Sequence, residues 1–136
     1  MHGDIREVRW QKAVWNAAFN SASVLAGGLG VRQLLGEPNS RAFLKAVMAE
    51  VVAIAAADGY PLPADYPEFA LQATERMPNY VPSTALDRIN GKEMEAEPII
   101  GNVVRLGRRY KVRIPKLETV MELLAMIHSQ PVRQFA

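Results

Sequence analysis

The stretch Trp10-Gln-Lys12-Ala-Val-Trp15-Asn16-Ala-Ala-Phe19-Asn20 decides how the chain is read. Val8, Trp15 and Phe19 recur at helical spacing, and no Gly or Pro interrupts before Gly27, so the segment is expected to be helical. Apolar residues surround it on nearly every side, the pattern of a buried helix. Three polar residues break that pattern. Lys12, Asn16 and Asn20 are spaced four and four, which puts them on one slowly drifting face. An unpaired polar group in an apolar surround costs about 1–3 kcal/mol, so the three require partners. A single Asn often ties a helix to a loop, and a single Lys can reach water. Three in register point instead to a ligand face. A Lys in a partly apolar cleft would have a lowered pKa and could exchange protons near neutrality.

The helix is expected to run from an Asp4 N-cap to about Leu25, where Gly27, Gly28 and Gly30 end it. That glycine cluster is not G-x-G-x-x-G and follows a helix rather than a strand, so it reads as a turn and not as a phosphate loop. Leu34 to Gly36 reads as a short connector. A second helix starts at Pro38-Asn39-Ser40 and ends at Asp58-Gly59, with Phe43, Val47, Val51 and Ile54 as its apolar stripe. Tyr60-Pro-Leu-Pro is a break, and a third helix begins around Pro67 and runs to about Arg76. Ser83 is the expected N-cap of a short fourth helix that ends near Asn90-Gly91. Glu95 to Pro98 leads into a fifth, with Ile99, Ile100, Val103, Val104 and Leu106 inside and Arg105, Arg108 and Arg109 outside. Pro115 breaks it, and a last helix runs from Leu117 to about His128. No stretch has a convincing hairpin or βαβ context. The expected fold is all-α with about six helices.

Bulk properties narrow the function. The 136 residues suit one domain, spanning 1–136. A net charge of +2 is too small for a nucleic-acid-binding surface. The basic run Arg105 to Lys116 reads as a solvated helix end, where cations suit the dipole. There is no Cys and there are two His, so neither disulfides nor a metal site is expected. No apolar run is long enough for a membrane span and no signal-peptide pattern opens the chain. The expected location is cytoplasmic.

The pattern Trp-x-Lys-x-x-x-Asn-x-x-x-Asn at Trp10–Asn20 resembles the opening helix of the C-terminal domain of ketopantoate reductases (2-dehydropantoate 2-reductases). Further features follow in the family's order. Pro82-Ser-Thr-Ala-Leu-Asp87 is similar to its Ser before a short helix with an Asp four residues on. Lys92 to Glu97 resembles its acidic pair, and Arg105 to Pro115 its helix end and Pro turn. The resemblance runs from about Asp4 to Ile127. It implies Lys12 as catalytic acid, Asn16, Asn20 and Ser83 as substrate-binding residues, and Glu95 as the active-site acidic residue. Taken alone, Ser83 is also a good N-cap, and Glu93, Glu95 and Glu97 suit a helix N-terminus. Ser21, Thr84, Ala85 and Met94 depart from the family's usual residues, which alters the expected pocket lining.

The family's nucleotide-binding domain has no counterpart in these residues. A protein orients a nicotinamide but cannot supply its hydride, so no cofactor is expected in this chain, and NADP only if a separate Rossmann partner supplies the site. Three readings follow. The first is a stand-alone enzyme of biosynthesis. In it Lys12 stabilises a developing oxyanion, Asn16, Asn20 and Ser83 orient an oxygenated substrate, and Glu95 binds a hydroxyl or acts as base. Cofactor-free isomerisation, aldol-type chemistry or cyclisation, including pericyclic, would suit that set. The second is the substrate half of an NADPH-dependent reductase. The third is a non-catalytic dimerisation or binding module. A homodimer with a helical, apolar interface, the cleft lying at or near it, is expected.

Overall fold

The structure, a computed structural model, describes residues 5–82 and 100–128. The fold is all-α. The described residues form six helices and no strand: α1 (Ile5–Leu25), α2 (Val31–Gly36), α3 (Pro38–Ala57), α4 (Tyr66–Glu75), α5 (Asn102–Arg109) and α6 (Pro115–His128). The expected short helix after Ser83 lies outside the described residues, as do Ile99 and the acidic cluster around Glu95.

Helix α3 is the hub, and it packs against each of the other five. Its ends are those the sequence predicts. Pro38 occupies the first turn, where a missing N–H costs nothing. The Glu37 carboxylate accepts from the Ser40 amide at 2.7 Å. That backbone N–H, with the amide of Asn39 beside it, holds the Glu37 carboxyl below the usual range. Gly59, at φ +92°, closes the other end. Leu44, Val47, Met48, Val51 and Ile54 are fully buried along α3, whereas Phe43 sits half-buried at the edge of the core. Helix α5 comes close to α3 because residue 107 is glycine. A Cβ there would lie 2.7 Å from Ile114 Cδ1 and 3.0 Å from Ile54 Cδ1.

Two expectations about element boundaries need correction. Leu34 to Gly36 is not a connector but the second half of α2. Val31, Leu34 and Leu35 are buried, a one-sided i, i+3, i+4 pattern too short to stand out between flanking glycines. The helix is held from outside. The amides of Val31 and Arg32 donate to Tyr80 O at 2.9 Å and Asn79 Oδ1 at 3.0 Å. Pro115, expected only as a breaker, is the first residue of α6. The cap comes from α3: the Glu50 carboxylate accepts from the amides of Lys116 (2.9 Å) and Leu117 (2.8 Å). A negative charge at a helix N-terminus is favourable by about 0.3–1 kcal/mol before its hydrogen bonds are counted. Inside α5 and its approach, Ile100, Val103 and Val104 are buried and Arg105, Arg108 and Arg109 exposed as expected, but Leu106 is only half-buried.

Helix α1 is not apolar-buried all round. Trp10, Val14, Ala17, Ala18 and Phe19 are buried against the rest of the fold. Ile5 is 69% exposed and Val8 52%. With 3.6 residues per turn, positions 5, 8 and 12 face away from the core side. Both tryptophans are tied at their polar ends. Trp10 Nε1 donates to Asp58 Oδ2 at 3.1 Å, and Trp15 Nε1 to Thr74 Oγ1 at 2.9 Å.

Candidate functional site

The sequence nominates Lys12, Asn16, Asn20, Ser83 and Glu95. The structure places the first three along one line of α1, on the side of the helix away from the core. Lys12 is exposed, and Asn16 and Asn20 are half-buried. The expected partly apolar cleft around Lys12 is therefore not formed by the described residues. The reason is packing: α3 takes the opposite flank of α1, and nothing among the described residues encloses Lys12. None of the three side chains makes a hydrogen bond or ion pair with a described residue. Ser83 and Glu95 lie outside the described residues, so their convergence on this line stays an expectation.

The line has two unlike flanks. On one side stand Trp15 and Phe19, stacked with ring centroids 4.5 Å apart, and Tyr80 extends the stack at 6.1 Å from Trp15. Burial raises the Tyr80 hydroxyl pKa above its ordinary value, so it stays a neutral donor through the physiological range. On the other side, Arg9 and Ala13 open into a groove of about 800 Å³ between the start of α1, the end of α3 and α5. Chemically, the line offers one ammonium and two amides, all donors to oxygen, between a flat aromatic wall and a cationic groove. That set suits a small oxygenated anion.

The glycine turn does not offer a nicotinamide nucleotide the anion site its pyrophosphate would require. Such a site needs free backbone amides at a glycine-rich strand-to-helix turn. At the glycine turn here, Gly27 N–H donates to Val24 O (3.2 Å), Gly28 N–H to Ser23 O (2.7 Å) and Gly30 N–H to Gln33 Oε1 (2.8 Å). The amides are spent on the turn itself.

Sequence reasoning missed the groove. Its signal was present as Arg6 and Arg9 at i, i+3 on α1 and Arg105 and Arg109 at i, i+4 on α5, but nothing local says that these two faces oppose each other. Among the described residues no helix is long and apolar enough to cross a membrane.

Comparison with known proteins agrees with this architecture. Residues 4–128 match the family model of the ketopantoate reductase PanE/ApbA C-terminal domain. The crystal structure of 2-dehydropantoate 2-reductase from Methylococcus capsulatus superposes with a TM-score of 0.83 at 44% identity, over 97% of this chain and 43% of that one. The 2-dehydropantoate 2-reductase of Nostoc sp. is 27% identical over 119 residues, 88% of this chain and 37% of that protein. The dimeric ketopantoate reductase from Staphylococcus aureus shares the fold at a TM-score of 0.83 and 20% identity, over 94% of this chain and 45% of that one. The chain thus spans less than half the length of these relatives. By its helices and by the match over nearly its whole length, the chain belongs to the ketopantoate reductase C-terminal domain family.

Proposed function

We propose that this chain is the substrate-binding half of a 2-dehydropantoate 2-reductase, acting on a 2-oxo acid together with a nucleotide-binding domain that these residues do not contain. The observation that carries the reading is the line Lys12, Asn16 and Asn20, which finds no hydrogen-bond or ion-pair partner among the described residues, on a scaffold 44% identical to such a reductase. Reduction of a ketone places growing negative charge on the carbonyl oxygen. The Lys12 ammonium is suited to meet that charge and give up the proton, while Asn16 and Asn20 donate to the substrate's oxygens. Ser83 and Glu95 would complete the set from the segment between α4 and α5. The relatives give no support to the cofactor-free cyclisation or isomerisation that the sequence placed first; they favour the reductase half. The cytoplasm, where such an enzyme would meet its substrate, is the proposed location.

A homodimer is part of the same proposal. The S. aureus relative is dimeric, and the exposed Ile5, Val8, Leu123 and Met126 offer apolar surface for such an interface. Light scattering should give twice the 15.0 kDa chain mass; a clean monomer would refute it.

The reductase reading is tested by joining this chain to the nucleotide-binding domain of the Methylococcus relative and following NADPH oxidation with 2-dehydropantoate. Turnover is expected. Lys12→Ala should lower kcat by about 10²-fold or more with an unchanged melting temperature. A folded hybrid without turnover, or a Lys12→Ala hybrid of full activity, would overturn the proposal.

A further inference from the structure

The groove beside the polar line is not used by the proposed reduction, and it has a chemistry of its own. Four guanidiniums line it: Arg6 and Arg9 from α1, Arg105 and Arg109 from α5. Its base is apolar, with the buried Trp10 and the half-buried Leu106. Among the described residues the one carboxylate in the lining is that of Asp58, and it is engaged. It accepts from Trp10 Nε1 at 3.1 Å and from the Tyr110 hydroxyl. It therefore pins the Trp10 ring in place and does not pair with any of the four arginines. Arg6 is anchored at the rim, donating to the Tyr60 hydroxyl at 2.7 Å, with its guanidinium 5.7 Å from the Tyr60 ring centre. Arg105 donates to Asn102 Oδ1 beside it. Arg9 and Arg109 are exposed and make no hydrogen bond or ion pair with a described residue.

Arg9 and Arg109 bring two like charges to one concavity from two helices, and an anion placed between them relieves their repulsion. A cleft with low-dielectric walls focuses the field and raises the local anion concentration. The planar fork of arginine matches phosphate and carboxylate oxygens in pairs, and a dianion can use two forks at once. A volume of about 800 Å³ is the size of a small-molecule site, far more than an inorganic ion fills. The apolar base gives an organic body something to lie on.

We propose that this groove is a second ligand site of the chain, for a small phosphate monoester with a flat apolar body. Arg9 and Arg109 hold the phosphate from the two opposing helices, and the body rests on Trp10 and Leu106. The proposal stands on the groove alone and does not depend on the reductase reading.

Calorimetry of the full chain with phenyl phosphate and with orthophosphate tests it. Phenyl phosphate should bind about tenfold or more tighter, because only it uses the apolar base. Arg9→Gln and Arg109→Gln should each weaken phenyl phosphate by about tenfold, with unchanged circular dichroism and melting temperature. Arg113→Gln, an exposed cation outside the groove, should leave it unchanged. Equal affinity for the two probes, no binding of phenyl phosphate at millimolar concentration, or equal weakening by Arg113→Gln would overturn the proposal.

Discussion

Helices α1 and α3 are nearly the same length, 21 and 20 residues, and both are rich in alanine and aliphatic residues. Their situations differ. α3 touches every other helix of the described fold and carries its buried stripe from Leu44 to Ala55. α1 is covered on the core side, and along its other side the described residues leave Lys12 exposed and Asn16 and Asn20 half-buried. The difference shows how a small helical domain divides its labour. The hub helix spends its side chains on packing, and the rim helix has a face to spare for a ligand or a partner domain. Polar residues that find no protein partner accumulate on the second kind of helix because only there can water serve them when the ligand is absent.

The comparison breaks if the two helices respond alike to truncation. Ile54 is fully buried and meets the α5 glycine turn. Ile54→Ala should cost about 2–5 kcal/mol of unfolding free energy, since the surrounding helices relax only partly into the cavity. Lys12→Ala, on the open line, should change stability by less than about 0.5 kcal/mol. Urea denaturation of the two variants reads both numbers. A Lys12→Ala cost approaching that of Ile54→Ala would mean that Lys12 supports the fold, and the division of labour would not hold.

A second measurement sharpens the role of the hub. Glu50 reaches from α3 to cap α6 through two amides. Glu50→Ala removes a charged acceptor from two N–H groups, one exposed and one part-buried. A loss of about 2 kcal/mol is expected. If hydrogen exchange at Lys116 and Leu117 is no faster in the variant, the cap does not act as drawn.

Most of this was legible in the chain, and the failures have physical causes. The two long helices and the last one follow from apolar periodicity and from Pro and Gly punctuation, which are local signals. α2 was missed because six residues carry less than two turns of periodicity and its amides are held by a loop more than 40 residues away. The Glu50 cap was missed for the same reason, since its partners are 66 and 67 residues on. The line Lys12, Asn16 and Asn20 was readable because it lies within one helix. Its openness was not, because which flank a neighbour covers is a tertiary fact. The arginine groove needed two helices to be set opposite each other, and no spacing rule encodes that.

The smallest effect concerns the one polar side chain that breaks the rule for α1. Ser21 points to the core side, is fully buried, and its Oγ has no hydrogen-bond partner. A serine in mid-helix commonly donates to the carbonyl four residues back; Thr74 in α4 does so, to Ala70 O at 2.7 Å. Ser21 does not. An unmet buried hydroxyl carries a desolvation cost of about 1–3 kcal/mol, and alanine is in addition the better helix former by about 0.5 kcal/mol. Against this stands the small void left by one oxygen atom. Ser21→Ala should therefore raise the unfolding free energy by about 1 kcal/mol while leaving the open face untouched. Asn16→Ala and Asn20→Ala, whose amides water can serve, should not stabilise the fold at all. A chemical melt in which Ser21→Ala is destabilising would show that its hydroxyl has a partner after all. Polar residues on the covered and open sides of α1 would then no longer be distinguishable by stability.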